Sequence, residues 1–382
     1  MLPNLRKLNW DKKHTGGEIA LVLPLLVSPV LTSFDLDLEG GSRTKAVVSS
    51  LAPAFGSLRS IYITGSYCDL VQDSSTLLLN CNPNQLRRFD TGSPVSWAAF
   101  LHASQLPNLE FFVIQVGGTG KPNGASLPTT MFPSLKHLRI EGIDADSIWL
   151  QSLGRIRSKS LKLLGLDLNN PAAARTVLPT VVRYLRFSGL DQTLRKLIIH
   201  PKCDLFVLDV DGMIVENLLP LSQLTTLHLS FVCSPDMCGY KLSDEDLEKL
   251  VKAMPNLKSL ALGMRPCSRP ADNSIKSLAA IAKHCKHLKK LVIHTNVEAV
   301  ISDPNYHPGE DHILGEPALV ECPLLSITLG PYSRLREQPV AEKFASALLR
   351  LFPHLANVET TGAGLGGSLV TQCITAFRHT RS

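Results

Sequence analysis

Aromatic side chains are scarce in this sequence, although its apolar content is high. Phe, Trp and Tyr make up 6% of the 382 residues, whereas all hydrophobic types together make up 44%. Leu, Ile and Val must therefore supply the core, and the chain is long enough for one large or two ordinary domains. Charged residues are also few, at 19%, and a chain so rich in aliphatic residues is not intrinsically disordered.

A long apolar run and a concentration of positive charge are both missing. The longest apolar stretch, Ile19 to Val27, contains Pro24 and is far shorter than the ~20 residues that a membrane span needs. The net charge of +6 is mild for this length, and no basic tail concentrates it. The sequence therefore predicts a chain that binds neither a membrane nor nucleic acid.

The sequence also lacks the pattern of a disulfide framework and that of a signal peptide. The nine cysteines are odd in number and scattered, which favours reduced thiols. No apolar run follows Arg6 and Lys7 near the N-terminus, which argues against a secretory signal. We therefore predict a soluble protein of the cytoplasm or the nucleus.

One pattern is present throughout: a leucine, two residues, an apolar residue, one residue and a second apolar residue, as in Leu58-Ile61-Ile63. A further copy at 205–210 falls out of step. Alternating apolar residues predict a short half-buried strand, and strands of successive repeats must stack to bury their faces. Few aromatic residues are expected, because narrow stacked layers leave no room for bulky rings in every repeat. The in-step leucines, about 29 residues apart on average, are Leu5, Leu31, Leu58, Leu86, Leu109, Leu135, Leu161, Leu194, Leu224, Leu257, Leu288, Leu324 and Leu355.

The segments between these strands have the features of helices. Ser243 to Met254 begins with an N-cap serine and has an acidic residue three positions later. Asn273 to His284 and Val340 to Leu351 each carry apolar residues at helical spacing. We therefore predict an α/β solenoid, a horseshoe with parallel strands on its concave face and helices on its convex face. We expect a single domain of about 13 repeats over 1–382, with a loop insertion at 296–321.

These repeats resemble the leucine-rich repeat family. The segments Met254 to Leu260 and His284 to Leu291 are similar to the longer repeats of F-box and ribonuclease-inhibitor-like proteins, above all those of fungal F-box proteins. The resemblance covers the chain from Leu5 to about Leu355. It implies a protein–protein interaction scaffold, in particular the substrate-recognition region of an F-box-type (SCF) ubiquitin ligase that binds a protein target on its concave face.

The sequence departs from the family pattern in two respects. An asparagine eight residues after the leucine is present only at Asn169 and Asn296, so a regular asparagine ladder is not expected. No F-box precedes Leu5, so the chain is either a fragment or a protein that binds its partners without this machinery. A cullin–RING ligase adaptor is an expected partner only with an F-box upstream. The alternative is a stand-alone binding or inhibitor module with no role in ubiquitin transfer.

No group of residues in the sequence indicates catalysis or metal binding. Cys233 and Cys238 have a spacing that zinc permits, but Cys285 precedes a strand, where a buried thiol is expected. The glycine clusters at 117–121 and 362–367 lack the spacing of a phosphate-binding loop. We therefore predict that the protein is not an enzyme and uses no catalytic residue, metal or cofactor.

Strand residues two, four and six positions after each leucine point away from the core, onto the concave face. Acidic residues dominate positions four and six, whereas position two carries bases such as Arg88 and Lys196. We predict that this face binds a basic or mixed-charge protein segment, with Phe111, Leu163 and Ile198 as apolar anchors. The simpler interpretation, that exposed strand positions merely favour polar residues, stays open. The predicted site comprises Asp35, Asp37, Asp90, Phe111, Arg139, Glu141, Leu163, Asp167, Ile198, Asp209 and Asp211.

Overall fold

The chain divides into two compact units, each with one series of parallel strands. Unit 1 comprises Met1–Asn169 and Phe187–Thr193, and unit 2 comprises Asn170–Arg186 and Leu194–Ser382. The structure, a computed structural model, describes residues 2, 4–10, 19–37, 50–64, 71–116, 127–143, 148–169, 174–201, 211–230, 240–263, 271–296, 322–329, 337–360 and 366–381.

The sheet of unit 1 consists of parallel strands, each of which pairs with the next strand along the chain. The strands of unit 2 pair in the same way. In unit 1 they are β1 (Lys7–Trp10), β2 (Ser33–Asp37), β3 (Ser60–Thr64), β4 (Arg88–Val95), β5 (Phe111–Val116), β6 (His137–Ile143) and β7 (Leu163–Leu168). In unit 2 they are β8 (Lys196–Pro201), β9 (Thr226–Leu229), β10 (Ser259–Leu262), β11 (Lys290–Ile293), β12 (Ser326–Leu329) and β13 (Asn357–Thr360).

Helices alternate with these strands along the chain. None of the helices in the described part of the chain combines the length and the apolar character that a membrane span requires. Single turns of 3-10 helix are found at Ala52–Ala54 and Leu190–Gln192. The α-helices are α1 (Ile19–Leu26), α2 (Val71–Asn80), α3 (Trp97–Ser104), α4 (Ile148–Leu153), α5 (Ala174–Phe187), α6 (Gly212–Leu218), α7 (Asp244–Ala253), α8 (Ile275–His284), α9 (Gln338–Leu351) and α10 (Gly366–Arg381).

The recurring leucines of the sequence lie on the buried side of the strands in both units. All of them except Leu5 are fully buried. The apolar residues that follow them pair in register, as Ile61, Phe89 and Phe112 do across β3, β4 and β5. Parallel strands, alternating helices and this register confirm the predicted α/β solenoid. The single domain stays a prediction, and residues 297–321 of the predicted insertion lie outside the described residues.

Aromatic rings from neighbouring repeats stack in one part of unit 1. The ring centroid of Phe112 lies 6.1 Å from that of Phe89 and 5.5 Å from that of Phe132. Phe100 on α3 and Trp149 on α4 add a contact of 4.5 Å between ring centroids. Tilted and edge-on pairs allow rings of neighbouring repeats to pack together in this part of unit 1.

Helix α10 covers the backbone of β13, the last strand of unit 2. The Thr371 hydroxyl accepts a hydrogen bond from the backbone N–H of Val358 and donates one to its carbonyl oxygen, both at 3.1 Å. Unpaired N–H and C=O groups at the edge of a sheet invite pairing with another chain. The side chain of Thr371 satisfies both groups of Val358 and thereby protects this strand.

Helices α7 and α8 begin at local capping signals. The Ser243 hydroxyl accepts a hydrogen bond from the backbone N–H of Asp246, and the Asp246 carboxylate accepts one from the backbone N–H of Ser243. This capping box confirms the helix predicted from Ser243 onward. Helix α8 begins at Ile275, two residues later than predicted, because Ser274 serves as its N-cap.

Asp244, in the first turn of α7, joins the starts of α7 and α8. Its carboxylate accepts hydrogen bonds from the backbone N–H and hydroxyl of Ser274 at 2.8 and 2.7 Å. It also accepts bonds from the backbone N–H of Ser277, at 3.1 Å, and from the Ser277 hydroxyl. Partial burial acts to raise the pKa of Asp244, but the hydrogen bonds from both serines outweigh it and lower the pKa.

Replacing Asp244 with alanine should destabilise the protein. We expect the free energy of unfolding to fall by about 2–3 kcal/mol, because charge-assisted hydrogen bonds are lost and donors at the start of α8 lose their partner. Asp272→Ala, at an exposed aspartate just before α8, is the matched control and should cost less than about 0.5 kcal/mol. Urea unfolding followed by circular dichroism measures both values, and equal losses would contradict the role of Asp244.

The contribution of Asp244 should depend on pH in one direction. Its pKa is lower in the folded chain than in the unfolded chain, so the folded state holds its proton less tightly. The stabilisation is complete above the unfolded pKa of about 3.9 and is lost as the pH falls. The difference in unfolding free energy between the wild type and Asp244→Asn should therefore shrink between pH 5 and pH 3.

Candidate functional site

Strands β3–β7 of unit 1 direct alternate side chains outward. On β6, Leu138 and Ile140 are buried, whereas His137, Arg139 and Glu141 are half-buried. A pleated strand sends successive side chains to opposite faces, so the residues two, four and six positions after each leucine share the side away from the core. Most of them are half-buried or exposed, whereas Val113 and Asp167 are buried. These outward residues of β3–β7 form a surface termed the outer face of unit 1.

A row of rings and one guanidinium group crosses the outer face of unit 1. The Arg88 guanidinium carbon lies 4.1 Å from the centroid of the Phe111 ring and 5.9 Å from that of Tyr62. The His137 ring stands on the other side, with its centroid 4.0 Å from that of Phe111. A cation over an aromatic face is attracted by the electrons of the ring. Phe111 is therefore held between two neighbours in one orientation.

Ion pairs surround this row. Arg88 Nη2 lies 3.3 Å from a carboxylate oxygen of Asp90. Arg139 Nη2 lies 2.7 Å from the carboxylate of Asp167, and Arg139 Nε lies 3.3 Å from that of Glu141. Three of the predicted acidic residues are thus neutralised by arginines on neighbouring positions, and the face carries mixed rather than purely negative charge.

The electrostatics of two of these residues reflect their partial burial. Burial raises the pKa of Asp90 above its ordinary value, although hydrogen bonding and charge from Arg88 act in the opposite direction, and nearby Asp35 adds a small increase. For Arg139, burial acts to lower the pKa, but the hydrogen bond and charge of Asp167 outweigh burial and raise it. The guanidinium of Arg139 is therefore firmly charged.

The predicted site residues fall into several groups in the structure. The outer face of unit 1 contains Asp90, Phe111, Arg139, Glu141, Leu163 and Asp167. Asp35 is half-buried on β2, and Ile198 is half-buried on β8 of unit 2. Asp37 ends β2, but its side chain lies outside the described part of the chain, as does the whole of Asp209.

Asp211 is not on a strand, so its predicted place on the outward side of a strand was wrong. It is the N-cap of α6, and its carboxylate accepts a hydrogen bond at 3.2 Å from the backbone N–H of Ile214. Aspartate is among the residues best suited to cap a helix, because its side chain satisfies an unpaired N–H of the first turn. Residues 205–210, the out-of-step copy of the repeat, lie outside the described part of the chain.

The prediction omitted Arg88 and His137, although both contact Phe111. Each lies two positions after a recurring leucine, so the repeat pattern itself could have found them. A third determinant, Gly165, is visible only in the structure. A Cβ atom there would lie 3.0 Å from Cγ of Arg139, so the glycine leaves room for the arginine to reach Asp167.

The thiols and histidines give no sign of a metal centre in the described residues. No group of three or more His, Cys, Asp or Glu side chains there could hold a metal ion. Cys285 and Cys322 are fully buried, as predicted, and burial raises their thiol pKa to about 12 and about 11. The cysteines at 233, 238 and 267 and the glycine cluster at 117–121 lie outside the described residues, as does most of the cluster at 362–367.

No family model matches the chain. No curated protein matches it either. Solved structures of similar fold include the following two. The crystal structure of the Rad7 and Elc1 complex in yeast has a TM-score of 0.44 and 14% identity, and the match covers 81% of this chain and 72% of that chain. A protein of Bacteroides fragilis has a TM-score of 0.35 and 16% identity, with 62% and 67% covered. At these values neither protein lends its function to this chain.

The pair between Arg139 and Asp167 should contribute more to stability than an exposed pair of the same unit. Asp167→Ala leaves the half-buried guanidinium without its closest partner, so we expect a loss of about 1–3 kcal/mol in the free energy of unfolding. Glu110→Ala is the control, since Glu110 forms only exposed pairs with Arg87 and Lys136 and should contribute less than about 1 kcal/mol. Urea unfolding distinguishes the two, and an equal or larger loss for Glu110→Ala would refute this ranking.

Proposed function

We propose that this repeat scaffold binds a protein partner on the outer face of unit 1. Phe111, braced by Arg88 and His137, is the observation that carries the proposal. Aromatic and arginine side chains are enriched in the cores of protein interfaces. A ring already held in one orientation loses little conformational freedom when a partner covers it, so more of its contact energy appears as affinity.

The charges around Phe111 favour a partner segment of mixed charge. The carboxylates of Asp90, Glu141 and Asp167 each have an arginine within 3.3 Å. A purely basic segment would have to compete with these arginines, whereas a segment with both signs can pair with the outer atoms of each ion pair. We therefore place an apolar anchor of the partner against Phe111, with charged groups of both signs beside it.

We further propose that the partner is a target protein of an F-box-type ubiquitin ligase and that this chain belongs to the substrate-recognition part of that ligase. The support is the resemblance of the strand and helix repeats to those of leucine-rich-repeat F-box proteins. The alternative is a stand-alone binding or inhibitor module built on the same repeats. The two differ in whether cullin–RING components assemble with the chain.

Phe111→Ala should weaken partner binding at least tenfold, which corresponds to about 1.4 kcal/mol, because an anchor residue is lost. The matched control is Phe187→Ala, which removes a phenylalanine that is 72% exposed at the end of α5. The measurement is affinity purification of the tagged full-length chain from its native cell, followed by quantitative mass spectrometry. Circular dichroism checks that both variants fold.

A partner retained equally by wild type and Phe111→Ala would refute binding on this face. The same purification distinguishes the ubiquitin-ligase role from the stand-alone module. Recovery of cullin–RING components and ubiquitin attached to the partner would support the ligase role. One stoichiometric partner without these components would refute that role and leave the stand-alone module.

A further inference from the structure

The outward side of β8–β11 in unit 2 differs in charge from the outer face of unit 1. Its titratable residues are all basic: Lys196 and His200 on β8, His228 on β9, Lys290 on β11 and, just after that strand, His294, which is only 7% exposed. The other outward residues of these four strands have aliphatic, hydroxyl or no side chains. These five residues are termed the basic face of unit 2.

Among the described outward positions of unit 2, no carboxylate lies on the strands of the basic face. The acidic residue found at such a position is Glu359, on β13, two strands beyond β11. Its carboxylate already accepts hydrogen bonds from Thr328 at 3.3 Å and from Asn357 at 2.9 Å. Lys196, His228 and Lys290 therefore have no acidic neighbour among the described outward positions of β8–β11.

The register of the strands sets the size of the basic face. Lys196 pairs with Thr226, Thr226 with Ser259, and Ser259 with Lys290, so the two lysines are three strand intervals apart. At about 4.8 Å for each interval, their backbones are about 14 Å apart, the length of about four residues of extended chain. His200, on β8, and His294, just after β11, follow the two lysines by four residues each, with His200 half-buried and His294 buried.

Hydrogen bonds orient His200 and His228 on the basic face of unit 2. His228 Nε2 and the Ser259 hydroxyl share a hydrogen bond of 2.8 Å, and His200 Nδ1 shares one with the Ser230 hydroxyl. Between the two pairs, β10 contributes only small outward residues, among them Ala261. The middle of the face is therefore lower than its basic margins and can accept an extended chain.

The basic residues repel one another in the absence of a bound anion. Burial is the largest cause of the lowered pKa of His228, followed by the charges of His200, Lys290 and Lys196. His294, just after β11, is a further titratable group, and its ring packs edge-on against the buried Tyr240 with 5.8 Å between the ring centroids. Strand β10 contributes no titratable group. An anion placed among these groups would offset the repulsion and favour the protonated form of His228.

We propose that the basic face of unit 2 binds an acidic segment of a partner protein, with carboxylates about four residues apart between Lys196 and Lys290. Charge complementarity selects the sign of the segment. The size of the face selects a peptide over a nucleic acid, because two lysines neutralise too few phosphates for strong binding and the face carries no Phe, Tyr or Trp on which bases could stack. This surface is separate from Phe111 and goes beyond the function proposed above.

The first test measures binding of a fluorescent twelve-residue peptide with four glutamates to the full chain by fluorescence anisotropy. We expect saturable binding by the wild type and at least tenfold weaker binding by the double variant Lys196→Gln and Lys290→Gln. The control replaces two exposed lysines of α8, Lys276→Gln and Lys283→Gln, and removes the same charge elsewhere in unit 2. Its affinity should stay within twofold of the wild-type value.

Several outcomes would overturn the proposal. They are no saturable binding by the wild type, equal weakening by both double variants, or equal binding of a peptide in which glutamine replaces every glutamate. A twelve-nucleotide single-stranded DNA that displaces the peptide at a tenfold lower concentration would instead identify a nucleic-acid surface. Because Phe111→Ala leaves the basic face intact, its glutamate-peptide affinity should be unchanged, so this test can fail or succeed independently of the function proposed for unit 1.

The histidines provide a second readout of the same site. A bound carboxylate raises the pKa of His228, so the complex takes up protons and the affinity should rise about tenfold as the pH falls from 7.5 to 5.5 at constant ionic strength. The double variant His200→Gln and His228→Gln should lose most of this rise. The control His287→Gln and His354→Gln, at two exposed histidines of unit 2, should keep it. An unchanged pH dependence in the first variant would exclude these histidines from the anion site.

Discussion

The stacking of one aliphatic layer on the next is the interaction on which the rest of the molecule depends. A strand of four residues such as β10 cannot bury its face alone, and it is held because Leu260 lies in register between Leu227 and Leu291. Burial of one leucine side chain contributes about 2 kcal/mol to the stability of the fold. Each repeat adds leucines at the equivalent positions of its strand. A slip of one residue would turn every leucine outward, so the register is strongly fixed.

The same register decides what the outward positions can do. Once two residues of each strand are fixed in the core, their neighbours must face solvent, and the chemistry of those neighbours is free of the demands of packing. Unit 1 uses this freedom for Phe111, its flanking rings and paired charges. Unit 2 uses it for the lysines and histidines of β8–β11. The two faces therefore differ through their side chains and not through their strand architecture.

The sequence alone predicts the periodic parts of this arrangement well, because they depend on local signals. The buried leucines and the capping box at Ser243 are of this kind. The pair between Arg139 and Asp167 is not, since its residues are 28 positions apart and their approach needs the space beside Gly165. Asp211 was misplaced because it follows an apolar alternation in the sequence, whereas its role as the N-cap of α6 is visible only in the structure. The stacked rings likewise depend on tilt angles that no spacing reveals.

The charged side chains of the two faces have opposite effects on the stability of the free chain. On unit 1, the ion pairs of Arg139 stabilise the free chain and also hold the face in one arrangement, so folding and preorganisation for binding coincide. On unit 2, the charges of His200, Lys290 and Lys196 act against the protonated form of His228, so these like charges cost stability in the free chain. Such a cost is recovered when an anion binds, since the ligand removes the repulsion that the free chain must tolerate. A surface that is unfavourable alone and favourable in a complex therefore gains affinity from the same charges that weaken the fold.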